Sequence, residues 1–131
     1  MKVEPTAADL VDIARATILS DIVPALPGDP RYAALMAANA LAIAGRDLAL
    51  PSTSEDEIAR LAALLDDWSP AADPGEALKD ATARLAARVR EGRFDEGEAR
   101  VRLLAHLRET TRARLAVSNP RLLAGRERKA S

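Results

Sequence analysis

The sequence contains no cysteine and a single histidine, His106. The absence of cysteine excludes disulfides, thiol nucleophiles and zinc-thiolate sites. The single histidine excludes a metal site held by several histidines of one chain, and no metal site is predicted. Aromatic residues are scarce, with one Phe, one Tyr and one Trp. A core has to be built from aliphatic side chains and close helix contacts instead.

Long apolar runs and nucleotide-binding loops are also missing. Asn39, Arg46 and Asp47 interrupt the best candidate for the run of about 18 apolar residues that a membrane span requires. Residues 1–5 show no basic region followed by an apolar run, so we expect no secretory signal and a cytoplasmic, bacterial-type protein. The glycine-rich loops that bind nucleotide phosphates do not occur, and no cofactor is predicted.

Alanine is the residue that is abundant, with 29 copies among 131 residues, and it is the best helix former. Apolar residues recur at helical spacing in five segments, and no segment shows the alternation of a strand. We predict an all-α fold, a compact bundle of about five amphipathic helices with an alanine-rich central helix. The length favours one domain over residues 1–122, followed by a flexible basic tail over residues 123–131.

Start and stop signals place the five helices. Thr6, Asp29 and Asp73 are cap residues, and Ser54 with Glu57 has the spacing of a capping box. Proline follows directly after Asp29 and Asp73, at the first helical position, where its missing N–H costs nothing. The predicted helices run over about residues 7–23, 30–48, 55–68, 74–91 and 96–117.

The second predicted helix is apolar on both sides, which is typical of the buried centre of a domain. Asn39 lies in the middle of its main stripe, so we expect its amide to be removed from water. Two interpretations stay open. Asn39 bonds a buried backbone group and fixes how helices dock, or Asn39 and Arg46, seven residues apart, line a small polar pocket. Pairing of Arg46 with Asp47 or another carboxylate is the alternative for that side chain.

The fifth predicted helix has Leu104, Leu107, Thr111 and Leu115 as its core face, which directs His106 away from the core. We therefore expect an exposed histidine. No nucleophile-elbow signature supports a Ser-His-Asp arrangement around it, and no catalytic residue is predicted. The paired carboxylates of the chain have the positions of helix-start charges and solvated faces.

Charge is distributed unevenly along the chain. Residues 1–98 carry 10 basic and 18 acidic side chains, a net charge of −8, whereas residues 99–131 carry 9 basic and 2 acidic ones, a net charge of +7. Either the basic last helix packs beside acidic helices, or it presents a face for an anion or an acidic partner. The pI of about 5.9 and the scarcity of aromatics argue against nucleic acid. The predicted anion or partner face consists of Arg108, Arg112, Arg114 and Arg121.

Several stretches, in this order, resemble a small helical bacterial family of unknown function. These are Pro5–Leu10, Ala37–Ile43 with Arg46–Leu48, Leu103–Arg108 and Leu115–Arg121. The likeness spans about residues 5–122. Members of that family are often encoded beside, or fused to, aminoglycoside-phosphotransferase-like kinases and acyl-CoA dehydrogenases.

The resemblance implies which polar residues are shared. In the family a His-Ala-Arg run commonly precedes the Ala-Ala-Asn-Ala-Leu segment, and the corresponding place here reads Ala33-Ala34-Leu35. A polar site built from that histidine and arginine is therefore not expected in this chain. The matched polar positions are Asn39, Arg46 and Asn119, which are the candidates for a polar core or ligand site.

The association with kinases implies a non-catalytic accessory or interaction module in acyl-CoA or small-molecule metabolism. Its expected partner is a phosphotransferase-like kinase or an acyl-CoA enzyme, and charge reversal at Arg108 and Arg112 is expected to weaken the complex. The alternative is a module that binds a CoA ester or a phosphorylated metabolite, with Asn39 and Arg46 inside the site. A homo-oligomer is compatible with either hypothesis, and neither nucleic acid nor a membrane is an expected partner.

Overall fold

The computed structural model of the chain describes residues 3–50 and 53–130, and it contains helices and no strand over those residues. The predicted all-α fold class is confirmed. The helices are α1 (Ala7–Thr17), α2 (Gly28–Ala49), α3 (Thr53–Leu64), α4 (Pro74–Arg90), α5 (Gly97–Ser118) and α6 (Pro120–Ala130). Helix α6 was not predicted. The outer ends of the predicted domain and tail, residues 1 and 131, lie outside the described residues.

Helix α1 begins where its cap residues indicate. The Thr6 hydroxyl accepts a hydrogen bond from the backbone N–H of Asp9 at 3.2 Å, and the Asp9 carboxylate accepts one from the backbone N–H of Thr6 at 2.8 Å. The helix ends earlier than predicted, at Thr17. It continues as a π-helical turn, Ile18–Ile22, and a 3₁₀ turn, Val23–Ala25. Pro24, which has no N–H to donate to an α-helical hydrogen bond, lies in the 3₁₀ turn.

Contacts divide the chain into two units. The first unit comprises Met1–Pro51 and Ala116–Ser131, and the second comprises Ser52–Leu115. Their boundary falls inside α5, so the last turn of this helix belongs to the first unit. The single domain predicted from the length stays a prediction, because a division of contacts does not measure independent folding.

In the first unit α1 and α2 pack as an antiparallel pair. The two helices meet at Gly45, where an added Cβ atom would make an ordinary van der Waals contact, 3.5 Å from a Val11 methyl group. The prediction that α2 is a buried centre is wrong. Only Ala38 and Gly45 of α2 are buried, and α1 buries no residue. Apolar composition on both sides of a helix favours burial, but burial also requires neighbours on both sides.

In the second unit a hydrophobic core joins α3, α4, α5 and the connections between them. Leu61 and Leu65 are the largest fully buried side chains, and Trp68 donates its indole N–H to the Asp80 carboxylate at 2.8 Å. The apolar residues Ile58, Leu61, Leu65 and Trp68 recur at helical spacing and pack into this core, although α3 itself ends at Leu64. The buried core residues are Leu61, Leu64, Leu65, Trp68, Ala77, Ala81, Leu85, Phe94 and Leu103.

Candidate functional site

The side of α5 that faces α3 differs from the predicted core face by one residue. Leu103, His106 and Thr110 are buried, whereas Leu104 and Leu107 are exposed. The prediction that His106 is exposed is therefore wrong. The apolar stripe with more leucines predicted the other face of α5. Successive residues of a helix lie about 100° apart around its axis, so a shift of one residue exchanges the buried face and the exposed face. The packing of Leu103 into the core of the second unit fixes the orientation that is observed.

This orientation places a row of polar side chains between α3 and α5, here called the α3–α5 seam. Residues at four-residue spacing on α5 lie on one side of the helix. On α3, Glu57 and Arg60 are three residues apart and face the same row. The seam consists of Glu57, Arg60 and Ala63 from α3, and of Arg102, His106, Thr110 and Arg114 from α5.

Both ends of the seam have direct contacts. At one end the Arg102 guanidinium donates a hydrogen bond to the backbone oxygen of Ala63 at 2.5 Å. At the other end the Arg114 guanidinium lies 3.8 Å from the Glu57 carboxylate. The second contact is long for an ion pair and Arg114 is exposed, so its contribution to stability is small. The two contacts nevertheless fix which helix faces meet.

The middle of the seam holds polar atoms without hydrogen-bond partners among the described residues. They are Nδ1 of His106, Oγ1 of Thr110 and Nε of Arg60. His106 is 6% exposed and Thr110 is 8% exposed, so solvent reaches neither side chain freely. An unsatisfied buried polar group costs about 1 to 3 kcal/mol. Three such atoms side by side are a feature that packing alone does not explain.

A cleft of about 230 Å³ opens beside Arg60 and His106. Its apolar wall comes from Ala63, Leu64 and Ala105. Two arginines and one carboxylate also line it, which gives a net charge of +1 if the histidine is neutral. The complete lining is Arg60, Ala63, Leu64, Arg102, Ala105, His106 and Glu109.

The electrostatics of the cleft keep His106 neutral. Burial lowers the pKa of His106 below its ordinary value of 6.5, and the positive charge of Arg60 lowers it further. Glu57 opposes this shift, and Arg114 adds a smaller contribution in the lowering direction. A neutral imidazole has one N–H donor and one acceptor nitrogen, so His106 can either donate or accept at the cleft.

The structure does not bring the predicted polar candidates into one pocket. Asn39 is exposed, so the prediction that its amide is removed from water is wrong. The Arg46 side chain instead donates its Nε–H to the backbone oxygen of Val117 at 2.6 Å, which ties α2 to the end of α5. Asn119 precedes α6, and its side-chain oxygen accepts a hydrogen bond from the backbone N–H of Leu122 at 3.3 Å. Asn119 therefore has the geometry of a helix cap.

Arg46 does line a cleft in the first unit, of about 310 Å³, but with different neighbours. Arg15 of α1 lies there, and its Nε has no partner among the described residues. Sequence reasoning missed Arg15, which occurs at an ordinary position of an amphipathic helix. The cleft is lined by Asp12, Arg15, Ala42, Gly45, Arg46 and Ala49.

The predicted basic face is distributed over both units. Arg108 and Arg112 are exposed one turn apart on α5, and Arg112 lies 3.8 Å from the Glu109 carboxylate. Arg114 lies on the side of α5 that faces α3, beside Glu57. Arg121 is exposed on α6, in the first unit. Only Arg108 and Arg112 thus form a pair on one helix face.

Exposed apolar side chains are a further feature of the first unit. Leu35 and Met36 lie three and four residues after Tyr32, so the three exposed side chains share one side of α2. On α1, Leu10 and Ile13 are exposed as well. Soluble proteins seldom leave several large apolar side chains together in water unless the surface binds something.

Two searches of the described residues concern metals and membranes. No group of three or more acidic, histidine or cysteine side chains in this part of the chain is arranged to hold a metal ion. Among the same residues, no single helix is both long and apolar enough to cross a membrane.

The chain matches a known protein family. A model described as a domain of unknown function, DUF6285, matches residues 24–122. The chain belongs to the DUF6285 family. The DUF6285 match includes the whole α3–α5 seam and most of the stretches on which the resemblance was based, whereas the stretch Pro5–Leu10 and helix α1 precede it. Comparisons with curated proteins and with solved structures give no match.

Proposed function

We propose that this DUF6285 chain is a non-catalytic interaction module that binds a phosphotransferase-like kinase. The observation that carries the proposal is the row of exposed apolar side chains Tyr32, Leu35 and Met36 on α2. An amphipathic helix that presents anchors at this spacing fits an apolar groove of a partner. The resemblance to a family encoded beside or fused to such kinases supports this class of partner.

Charge on the second unit supports the proposal separately. Arg108 and Arg112 are exposed on one face of α5, and a partner with an acidic rim is attracted to them. Exposed charges of this kind act mainly on the association rate and its dependence on salt. We therefore expect the apolar row to determine how slowly the complex dissociates and the arginines to determine how quickly it forms.

The test measures binding of the purified chain to a purified phosphotransferase-like kinase from the same genome, by biolayer interferometry. Met36→Glu introduces a charge into the apolar row and should weaken binding by about tenfold or more. Val101→Glu is the matched control, because Val101 of α5 is exposed to 65% and lies outside the row. Circular dichroism checks that both variants remain helical.

Three results would contradict the proposal. They are the absence of binding to the kinase at both low and high salt, equal loss of binding in Met36→Glu and Val101→Glu, and measurable turnover by the chain alone. Light scattering measures whether the chain associates with itself. If it does, and Met36→Glu abolishes the association, the apolar row binds a second copy of this chain instead of a kinase. An acyl-CoA dehydrogenase from the same genome serves as the comparison partner, and preferential binding to it would replace the kinase in the proposal.

A charge-reversal variant tests the contribution of the arginines by itself. Arg108→Glu combined with Arg112→Glu should lower the association rate at low salt and reduce its salt dependence, with little effect on dissociation. The small-molecule alternative predicted from the sequence used Asn39 and Arg46. That site has no support in the geometry, because Asn39 is exposed and Arg46 bonds a backbone oxygen.

A further inference from the structure

We propose that the cleft between α3 and α5 is a binding site for a small monocarboxylate with a short apolar chain. The inference does not depend on the proposed kinase partner. In the complex the carboxylate lies at Arg60 and His106, and the apolar chain packs against Ala63, Leu64 and Ala105.

The unpartnered atoms indicate that a polar group is missing from the cleft. The His106 side chain lines the cleft and is 6% exposed, which means that it is 94% buried. Its Nδ1 has no hydrogen-bond partner among the described residues. The Nε–H of Arg60, which also lines the cleft, can only donate a hydrogen bond. One nitrogen of a neutral imidazole can donate as well. A carboxylate, which has two acceptor oxygens, satisfies both of these side chains together.

Charge selects among such ligands. The lining carries a net charge of +1 when His106 is neutral, from Arg60 and Arg102 against Glu109. A carboxylate carries a charge of −1 and neutralises the site. A phosphate monoester carries about −1.5 to −2 at pH 7, which leaves excess negative charge next to Glu109. The cleft therefore favours a monocarboxylate over a phosphorylated ligand.

Size and polarity set the rest of the ligand. Drug-sized ligands occupy pockets of about 300 to 1,000 Å³, and this cleft measures about 230 Å³. Side chains of alanine and leucine form the apolar part of the lining, and they offer no hydrogen bonds. A short alkyl chain fits this wall, whereas a sugar or a nucleotide would lose its hydrogen bonds to water there.

The test compares ligands that share a body and differ in the head group. Hexanoate, hexanamide and hexyl phosphate are titrated into the full chain and followed by NMR. Because His106 is the only histidine, its ring C–H signals are identified without further assignment. We expect hexanoate to shift these signals in a saturable way and to raise the pKa of His106, because it brings a negative charge beside the ring. The charged groups that already face the ring are Glu57 and Arg60 from α3, and Arg102, Glu109 and Arg114 from α5.

Variants locate the binding. Arg60→Leu should raise the dissociation constant for hexanoate by about tenfold or more, because it removes a charged donor from the carboxylate. Arg108→Leu removes an exposed arginine of α5 that lies outside the cleft, and it should change the constant by less than about twofold. Circular dichroism shows whether each variant folds, and the comparison of head groups on the unsubstituted chain does not depend on any variant.

Four results would overturn the proposal. They are the absence of a shift at millimolar hexanoate, equal binding of hexanamide, tighter binding of hexyl phosphate, and equal weakening by Arg60→Leu and Arg108→Leu. Equal binding of the amide would show that the cleft is only apolar. Tighter binding of the phosphate would show that the carboxylate is the wrong ligand class. Equal weakening would place the binding on the general surface of α5. None of these results bears on binding to the kinase.

Discussion

Replacing Thr110 by valine should stabilise the protein. The Thr110 side chain is 8% exposed, and its hydroxyl has no hydrogen-bond partner among the described residues. Valine has almost the same shape with a methyl group in place of the hydroxyl, and the helix propensities of the two residues are nearly equal. Removal of an unsatisfied buried hydroxyl relieves a cost of about 1 to 3 kcal/mol. We expect the free energy of unfolding to rise by about 1 to 2 kcal/mol, since part of the cost is relieved by small movements of the side chain.

Thermal and urea unfolding measure this effect. With an unfolding entropy of about 2.1 cal/mol/K per residue, 1 kcal/mol corresponds to about 4 °C in Tm for a cooperative chain of this length. The shift is about twice as large if the second unit, Ser52–Leu115, unfolds by itself. Comparing the shift in Tm with the free-energy change from urea therefore also tests the predicted single domain.

Thr111→Val is the matched control. Thr111 is the next residue on α5 and is exposed, so the same chemical change there should alter stability by less than about 0.5 kcal/mol. A lower stability of Thr110→Val than of Thr111→Val would refute the reasoning. It would mean that the Thr110 hydroxyl is satisfied in solution, for example by the backbone oxygen of His106 one turn earlier.

Three further predictions concern other parts of the chain. Gly45→Ala should raise the free energy of unfolding by about 0.5 to 1 kcal/mol, because alanine has a higher helix propensity than glycine. The added Cβ would meet Asp12 Oδ1 at 3.4 Å, an ordinary contact that does not oppose this gain. Urea denaturation measures the change, and a loss of more than about 1 kcal/mol would mean that α1 and α2 are packed more tightly. Leu65→Ala should lower it by about 2 to 5 kcal/mol, because Leu65 is fully buried; a loss below about 1 kcal/mol would contradict that burial. The third prediction is a loss of stability as the pH falls through 6.5, because the unfolded chain binds a proton there that His106 in the folded chain does not bind. The free energy of unfolding in urea should therefore depend less on pH in His106→Gln. An equal slope in both proteins would exclude a lowered pKa of His106.

The starts of α1 and α4 were predictable because they depend on neighbouring residues. The prediction of Asp29 as the cap of the second helix is wrong, because α2 begins at Gly28 and Asp29 lies in its first turn. Asp73 accepts a hydrogen bond from the backbone N–H of Glu76 at 2.9 Å, and α4 runs over Pro74–Arg90, within one residue of the prediction. The predicted end of the fifth helix, at about residue 117, is within one residue of the observed end at Ser118. The start of α6 directly after it was not predicted, although Asn119 followed by Pro120 has the pattern of a cap and a first helical position.

Burial was less predictable, because it depends on elements that are distant in the sequence. On α5 two overlapping apolar stripes were available, and the packing of Leu103 against α3 and α4 selected the one with fewer leucines. On α2 the apolar residues were assigned to a core, yet Tyr32 and Met36 are exposed. The candidate site at His106 was missed for this reason. The sequence does contain a signal for this site, since His106 and Thr110 are four residues apart and follow Leu103 on the same stripe. Only the position of α3 decides which of the two stripes is buried.

The two units differ in what their packing can support. In the second unit, full burial of Leu61 and Leu65 contributes about 1.5 to 3 kcal/mol for each side chain. This gain is comparable to the cost of leaving His106 and Thr110 without hydrogen bonds, at about 1 to 3 kcal/mol each. A polar seam that lowers stability can therefore persist there, next to a core that offsets it, as is common for binding sites. Among the described residues of the first unit, Val23, Ala38 and Gly45 are buried, and they contribute much less burial energy. The exposed apolar side chains on its helices therefore stabilise the unit only when another surface covers them.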